Sequence, residues 1–240
     1  VNESYPIVSF MGLRFNPAND LAILVSCVII FFLVYWLARK PSIRPNGRQN
    51  ALEYLIDFTN GIVKSAMPGK EGKRFGLFAF TLFLFVFVNN QLGLFFQLDI
   101  GGKTWFRSAT ADPIITMSLA MMILLISHFF GVVFNGFKGY MKEYISPVSF
   151  LLPINLIENI TNFVTLALRL YGNIYAGEVL LLLIRELAFS GHGLLGGVSF
   201  IGGFAIEVIW QGFSVFIGTI QAYIFVTLSS VYISEKVISD

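Results

Sequence analysis

The chain has 240 residues, of which 56% are hydrophobic and only 12% charged, with 26 phenylalanines and a formal net charge of +2. A water-soluble domain carries about twice that charged fraction, so the composition excludes a soluble globular enzyme and describes a chain built for lipid. One cysteine, Cys27, excludes an intrachain disulfide and a Cys-based metal site, and the small net charge offers no argument for nucleic acid as a partner.

Residues 1–18 are polar and contain prolines, and are expected to form an external N-terminal segment. Asn19-Asp20 offers a helix cap for a first span over 19–39, in which Leu21 to Ala38 is an uncharged run long enough to cross a bilayer. Cys27 falls inside that run and is expected to be a packing residue. Arg39, Lys40, Arg44 and Arg48 follow. Over 48–66 the pattern changes: Leu52, Leu55, Ile56, Ile62 and Val63 form one stripe, and Glu53, Asp57, Asn60 and Lys64 form the opposite one. That amphipathicity fits a helix lying in the membrane interface, or one packed on a partner.

A second span is expected over 75–98, rich in Phe and interrupted by Asn89, Asn90 and Gln91. A polar loop over 99–112 leads to a third span, 113–137, containing His128, which reads as a packed, hydrogen-bonded histidine before a proton carrier. Asp112 precedes that span as its N-cap. From 153 to 189 runs an apolar stretch of about 55 Å at 1.5 Å per residue. The hydrocarbon core is only about 30 Å thick, so a continuous helix must incline steeply. Ser190-Gly-His192-Gly makes a turn, and a second long, tilted helix is expected over 199–234. The architecture is all-α and polytopic: a single membrane domain of about five crossings plus one interfacial helix.

Inside the fourth crossing lies Arg169, a charge that cannot be lost and that costs about 3 kcal/mol at the centre of a membrane helix. One helical face through it reads Asn155, Asn159, Asn162, Leu166, Arg169, Asn173, Ala176, Leu180, a narrow face of polar and small residues that lets another helix approach closely. Glu178 lies nine residues on, about 180° around the helix, so the two serve different surfaces. On the last helix Glu207, Gln211, Ser214, Gly218 and Gln221 form a polar, small seam that faces another helix or water. Glu158, Glu178 and Glu207 are the carboxylates set in apolar sequence.

The segment Arg169-Leu-Tyr-Gly-Asn-Ile-Tyr-Ala-Gly-Glu178 resembles the arginine-bearing helix of the a subunits of F-type ATP synthases. Gln221-Ala-Tyr-Ile-Phe and Val231-Tyr-Ile-Ser resemble the end of the same proteins, and Ser108-Ala-Thr-Ala-Asp112 resembles a loop of theirs. The resemblance implies a non-catalytic stator subunit with no cofactor and no metal. It also implies a c-subunit ring, peripheral-stalk b subunits and the bilayer as partners, and two proton half-channels. Proton translocation would then fall to Arg169, Glu178, Asn173, Gln221, Glu207 and Ser214. Some relatives carry a histidine at the position of Ser214, so an imidazole relay there is missing, or is replaced by Glu207.

With the N-terminus outside, eleven basic residues fall inside, namely Arg39, Lys40, Arg44, Arg48, Lys64, Lys70, Lys73, Arg74, Lys138, Lys142 and Lys236. Four fall outside: Arg14, Lys103, Arg107 and Arg185. This asymmetry sets the C-terminus in the cytoplasm of a cell-membrane protein. A proton-coupled secondary transporter is the alternative reading, but it predicts an internal repeat that the sequence does not show.

Overall fold

The structure is a computed structural model that describes residues 8–10, 13–39, 42–43, 47–96, 98–100, 103–106, 108–145, 150, 152–189 and 193–237. His192 lies outside the described residues. The chain enters through a small hairpin, β1 (Val8–Phe10) paired antiparallel with β2 (Leu13–Phe15), and passes into α1 (Pro17–Ala38). The cap is Asn16 rather than Asn19-Asp20: its side-chain oxygen accepts from the Ala18 amide at 3.2 Å, and Pro17 takes the first helical position, where a missing N–H costs nothing. Asn19 instead donates to Asp112. Asp112 also accepts from the Ile114 amide at 2.8 Å, so one carboxylate caps α4 and tethers α1 to it.

Only a narrow stripe of α1, Ala18, Asn19, Ala22 and Ser26, is buried. Phe31, Phe32, Tyr35 and Trp36 face outward, and so does Cys27, against the expectation of a packing role. The reason is geometric: residues 18, 22 and 26 repeat at four-residue steps, and residue 27 is turned by about 100° to 180° from them. Helix α2 (Arg48–Ala66) buries Leu52, Ile62 and Val63 and exposes Asp57, Asn60 and Lys64. Its apolar stripe packs on the chain's own helices, with the Phe58 ring edge-on to Phe83 at 5.6 Å. Helix α3 (Gly76–Phe95) is the most buried of the five candidate spans and carries Ala79, Leu82, Phe83 and Val86 into the central core.

Where a polar loop was expected after α3, β3 (Leu98–Ile100) and β4 (Lys103–Phe106) form a second antiparallel hairpin. Helix α4 (Pro113–Ile145) then continues past residue 137, with a kink at Gly136, whose φ of 69° suits a residue with no Cβ. Across that kink the Tyr140 hydroxyl meets His128 Nδ1 at 3.0 Å, so His128 is a packed, hydrogen-bonded side chain.

The last two helices are α5 (Leu152–Phe189) and α6 (Gly193–Val237), 38 and 45 residues long. Helix α6 starts earlier than expected, so Gly196-Gly197 lies inside it together with Gly202-Gly203. At 1.5 Å per residue the two helices measure about 57 and 68 Å, roughly twice the hydrocarbon thickness, so neither fits an upright crossing. Among the described residues are five helices long and apolar enough to cross a membrane and two small hairpins, and the protein is an all-α, polytopic membrane protein.

Helices α5 and α6 make the most extensive helix pair, and α3 and α4 pack against α6. Glycine permits the closest approach: a Cβ on Gly203 would stand 2.4 Å from Ala188 Cβ, whereas one on neighbouring Gly202 would meet nothing within 4 Å. Gly203→Ala is therefore expected to destabilise the chain by about 1–3 kcal/mol through overpacking, and Gly202→Ala to be neutral or slightly stabilising. Thermal unfolding of the two variants in the same detergent checks this; equal midpoints would show that the α5–α6 approach is not tight.

Candidate functional site

Helix α5 turns Leu166, Leu170, Ile174, Gly177, Glu178, Ile184 and Ala188 inward. Arg169 stands beside this stripe, half-buried, while Asn173 and Ala176 on its side of the helix are exposed. Leu166, grouped with Arg169 by its spacing, belongs to the core. Among the described residues no carboxylate lies within ion-pair reach of Arg169.

One turn further along, Asn173 Nδ2 donates to Gln221 Oε1 at 2.6 Å and ties α5 to α6. Gln221 is 1% exposed, and its Nε2 has no partner among the described residues. Neither amide is hydrogen-bonded to Arg169.

The polar seam of α6 faces inward: Ser214, Gly218 and Gln221 are buried, and Glu207 and Gln211 half-buried. Helix α3 docks on it with the amides that interrupt its apolar run. Asn90 Nδ2 donates to the Gly218 carbonyl at 3.1 Å, and Gln91 Nε2 to the Val215 carbonyl at 3.3 Å. In return Gln211 Nε2 donates to the Leu94 carbonyl at 2.8 Å. Thr110 holds Asn90 in place by donating to its Oδ1 at 2.8 Å. Gly218 leaves room for this clamp, since a Cβ there would lie 3.2 Å from Gln91 Nε2.

Two cavities flank the α5–α6 contact. The first, about 570 Å³, opens on the side of Arg169 and is lined by Asn173, Ser214 and Gly218 among apolar groups such as Ile174, Leu180, Trp210 and Phe213. The Ser214 hydroxyl is buried without a partner among the described residues. The second, about 390 Å³, is lined by Glu178, Arg185, Glu207 and Gln211 with Gly93, Leu94 and Phe95. At roughly 30 Å³ per molecule it has room for about a dozen waters. Between the two cavities Trp210 Nε1 donates to the Gly177 carbonyl at 3.3 Å.

The structure thus sorts the sequence-derived residues into two groups, Asn173, Gln221 and Ser214 on the Arg169 side and Glu178 with Glu207 on the other. Glu207 does not stand beside Ser214; it is two turns, about 10 Å, along α6 and lines the opposite cavity. Glu158 is exposed near the start of α5. Arg185, read from sequence only as an outer basic residue, lies 3.9 Å from Glu207. The available signal was its position seven residues after Glu178, on the same face of α5. No group of three or more His, Cys, Asp or Glu that could hold a metal occurs among the described residues.

Residues 21–234 match the model of a family described as ATP synthase A chain. The chain belongs to the ATP synthase A chain family. It is 50% identical over 226 residues to ATP synthase subunit a of Limosilactobacillus reuteri, with 94% of both chains covered. It is 49% identical over 236 residues to the subunit a of Pediococcus pentosaceus and 44% identical over 235 residues to that of Priestia megaterium, with 98% of both chains covered in each case. In this A chain family member, the charge and amides that the membrane makes costly are gathered on α3, α5 and α6.

The Asn173–Gln221 bond yields a direct test. Interhelical hydrogen bonds in membrane proteins average about 0.6 kcal/mol and reach about 1.7. A double-mutant cycle with Asn173→Ala and Gln221→Ala, followed by unfolding in mixed micelles, is expected to give a coupling energy in that range. Strict additivity would mean that the two amides do not hold the helices together.

Proposed function

We propose that this chain is the stator a subunit of an F-type ATP synthase, a non-catalytic subunit that carries protons past a rotating ring of c subunits. The observation that supports this most is Arg169, a permanent charge in the middle of a long apolar helix, beside an exposed face of Asn173 and Ala176 and with no carboxylate in ion-pair reach among the described residues. A charge so placed calls for a partner carboxylate from outside the chain, and a rotor subunit supplies one. The bilayer and peripheral-stalk b subunits complete the surroundings. The distribution of basic residues favours a cell membrane with the N-terminus outside and the C-terminus in the cytoplasm.

In this reading a proton enters from outside through the cavity that holds Glu178 and neutralises a rotor carboxylate. The neutral acid moves through lipid and releases its proton on the cytoplasmic side. The carboxylate, charged again, is attracted by Arg169, whose positive charge also repels any proton that would leak directly between the two routes. Asn173 and Gln221 fix the wall of α5 and α6 next to the guanidinium, and Ser214 offers a hydroxyl where some relatives place an imidazole. Each charge that crosses the full potential gains about 2.3 kcal/mol per 100 mV, and this drives rotation.

Arg169→Ala and Arg169→Gln are expected to abolish coupled pumping and synthesis while the complex still assembles. Arg169→Lys should also lose about tenfold or more, because a lysine lacks the planar five-donor fork and releases its proton when buried. Glu178→Gln should slow proton-driven synthesis, with Glu178→Asp milder. ATP synthesis and ATP-driven proton pumping in membrane vesicles, with assembly followed by immunoblot, are the measurements. Full coupling in an assembled Arg169→Ala complex would sink the proposal.

A further inference from the structure

The cavity behind Glu178 contains a pair that the reading above leaves unused. Arg185 and Glu207 come from different helices, meet at 3.9 Å, and remain partly open, with side-chain exposures of 53% and 33%. Glu178, lining the same cavity, is only 6% exposed. Arg185 and Glu178 are two helical turns apart on one face of α5, so the pair stands about 10 Å from Glu178 along the helix. The cavity therefore runs from an open, charged end to a closed, acidic one. Gln211, one turn after Glu207 on α6, lines it between helices, and its amide is anchored on the Leu94 carbonyl.

Resting on the proposed function, we propose that Glu207 and Arg185 form the mouth of the outer proton route: Glu207 takes up protons from outside water and passes them toward Glu178, and Arg185 keeps metal cations out. The transfer balances simply. A hydronium gives a proton to the Glu207 carboxylate and leaves as water. The acid then gives that proton to a short chain of cavity waters, whose far end protonates the Glu178 carboxylate. Nothing is oxidised, and Glu207 returns to its starting state. A span of about 10 Å needs roughly three waters at hydrogen-bond spacing, and the cavity volume holds them easily.

Arg185 gives the mouth its selectivity. A proton moves along hydrogen bonds and has no need to displace the guanidinium. A metal cation has to shed water, replace it with several oxygen ligands, and push past a fixed positive charge. Among the described residues the charged or titratable groups lining the cavity are Glu178, Glu207 and Arg185, so with both acids ionised Arg185 cancels the charge of one of them. Without Arg185, two carboxylates would face the same water and attract cations.

The experiment uses the whole ATP synthase in proteoliposomes, with synthesis driven by an imposed proton gradient and the outer pH varied. In Glu207→Gln the rate is expected to fall about threefold to tenfold at neutral outer pH and to recover as the outer pH is lowered, since a higher proton concentration replaces the lost collector. Glu207→Asp should restore most of the neutral-pH rate. In Arg185→Gln, 100 mM Na⁺ in place of choline should lower the rate by about twofold or more, with wild type unaffected. The charge swap Arg185→Glu with Glu207→Arg separates a strut from a relay. A pair that only braces the helices is fully restored by the swap and leaves the pH profile unchanged in all variants, and either result would overturn the inference. So would a Glu207→Gln profile identical to wild type, or an Arg185→Gln enzyme indifferent to Na⁺. Arg169→Ala run in parallel keeps the two ideas apart. Full coupling there removes the stator reading, whereas its loss together with a normal Glu207→Gln profile removes only the mouth.

Discussion

A guanidinium set in an apolar helix, with no carboxylate in ion-pair reach among the described residues, is the constraint on which the rest of the structure depends. At about 3 kcal/mol or more it is among the costliest side chains a membrane helix can hold. Such a group is tolerated only where its backbone is fixed and where water or a partner can reach it. Helix α5 is fixed accordingly. Its inner stripe is packed against the core, its amide at Asn173 is bonded to Gln221, and its far end is in close contact with Gly203. Asn173 and Ala176 beside the half-buried Arg169 are left uncovered by the described residues, as are Leu168, Tyr175 and Leu183 on the adjoining side.

The same economy explains the polar residues of α3. In lipid, an amide side chain without a partner costs several kcal/mol, so Asn90 and Gln91 would be unfavourable on an outward face. Both instead turn onto backbone carbonyls of α6, and Gln211 reciprocates on α3. Each bond is modest, but together they set the register between α3 and α6. That register brings Gly93 and Leu94 of α3 beside Glu178 and Glu207 and so completes the wall of the acidic cavity. A short apolar helix in the place of α3 would pack as well in bulk but would leave that register to chance.

The sequence made the spans legible because lipid enforces long apolar runs, and the amphipathic stripe of α2 was plain for the same reason. It failed at positions decided by single contacts. The cap of α1 fell to Asn16 because Pro17 pre-sets the first turn, while Asn19 was claimed by Asp112, 93 residues away. Cys27 looked like a core residue because hydropathy does not distinguish a lipid-facing side from a protein-facing one. Within the site, helical spacing put Arg169 and Glu178 on different sides, and the structure agrees. Spacing along one helix could not reveal Arg185 as the neighbour of Glu207, because that contact depends on how α5 crosses α6.

The crossing has a further physical consequence. The two cavities lie on opposite sides of one helix contact, with the Trp210 indole bonded to the Gly177 carbonyl between them. A Cβ at Gly177 would meet only the Ser214 hydroxyl, at 3.9 Å, so the closure there rests on the indole, which satisfies a carbonyl that would otherwise invite water. A rotary proton path needs separate routes that never join, since a continuous water file would dissipate the gradient without turning anything. Packing alone is a weak seal, because thermal motion opens gaps the size of a water molecule. A fixed positive charge is a weak seal too when water screens it. Together they reinforce each other: close packing lowers the local dielectric, and in a low dielectric the repulsion between Arg169 and a stray proton grows several-fold. In the proposed function the α5–α6 contact and Arg169 would thus be two parts of one barrier, each effective because the other is present.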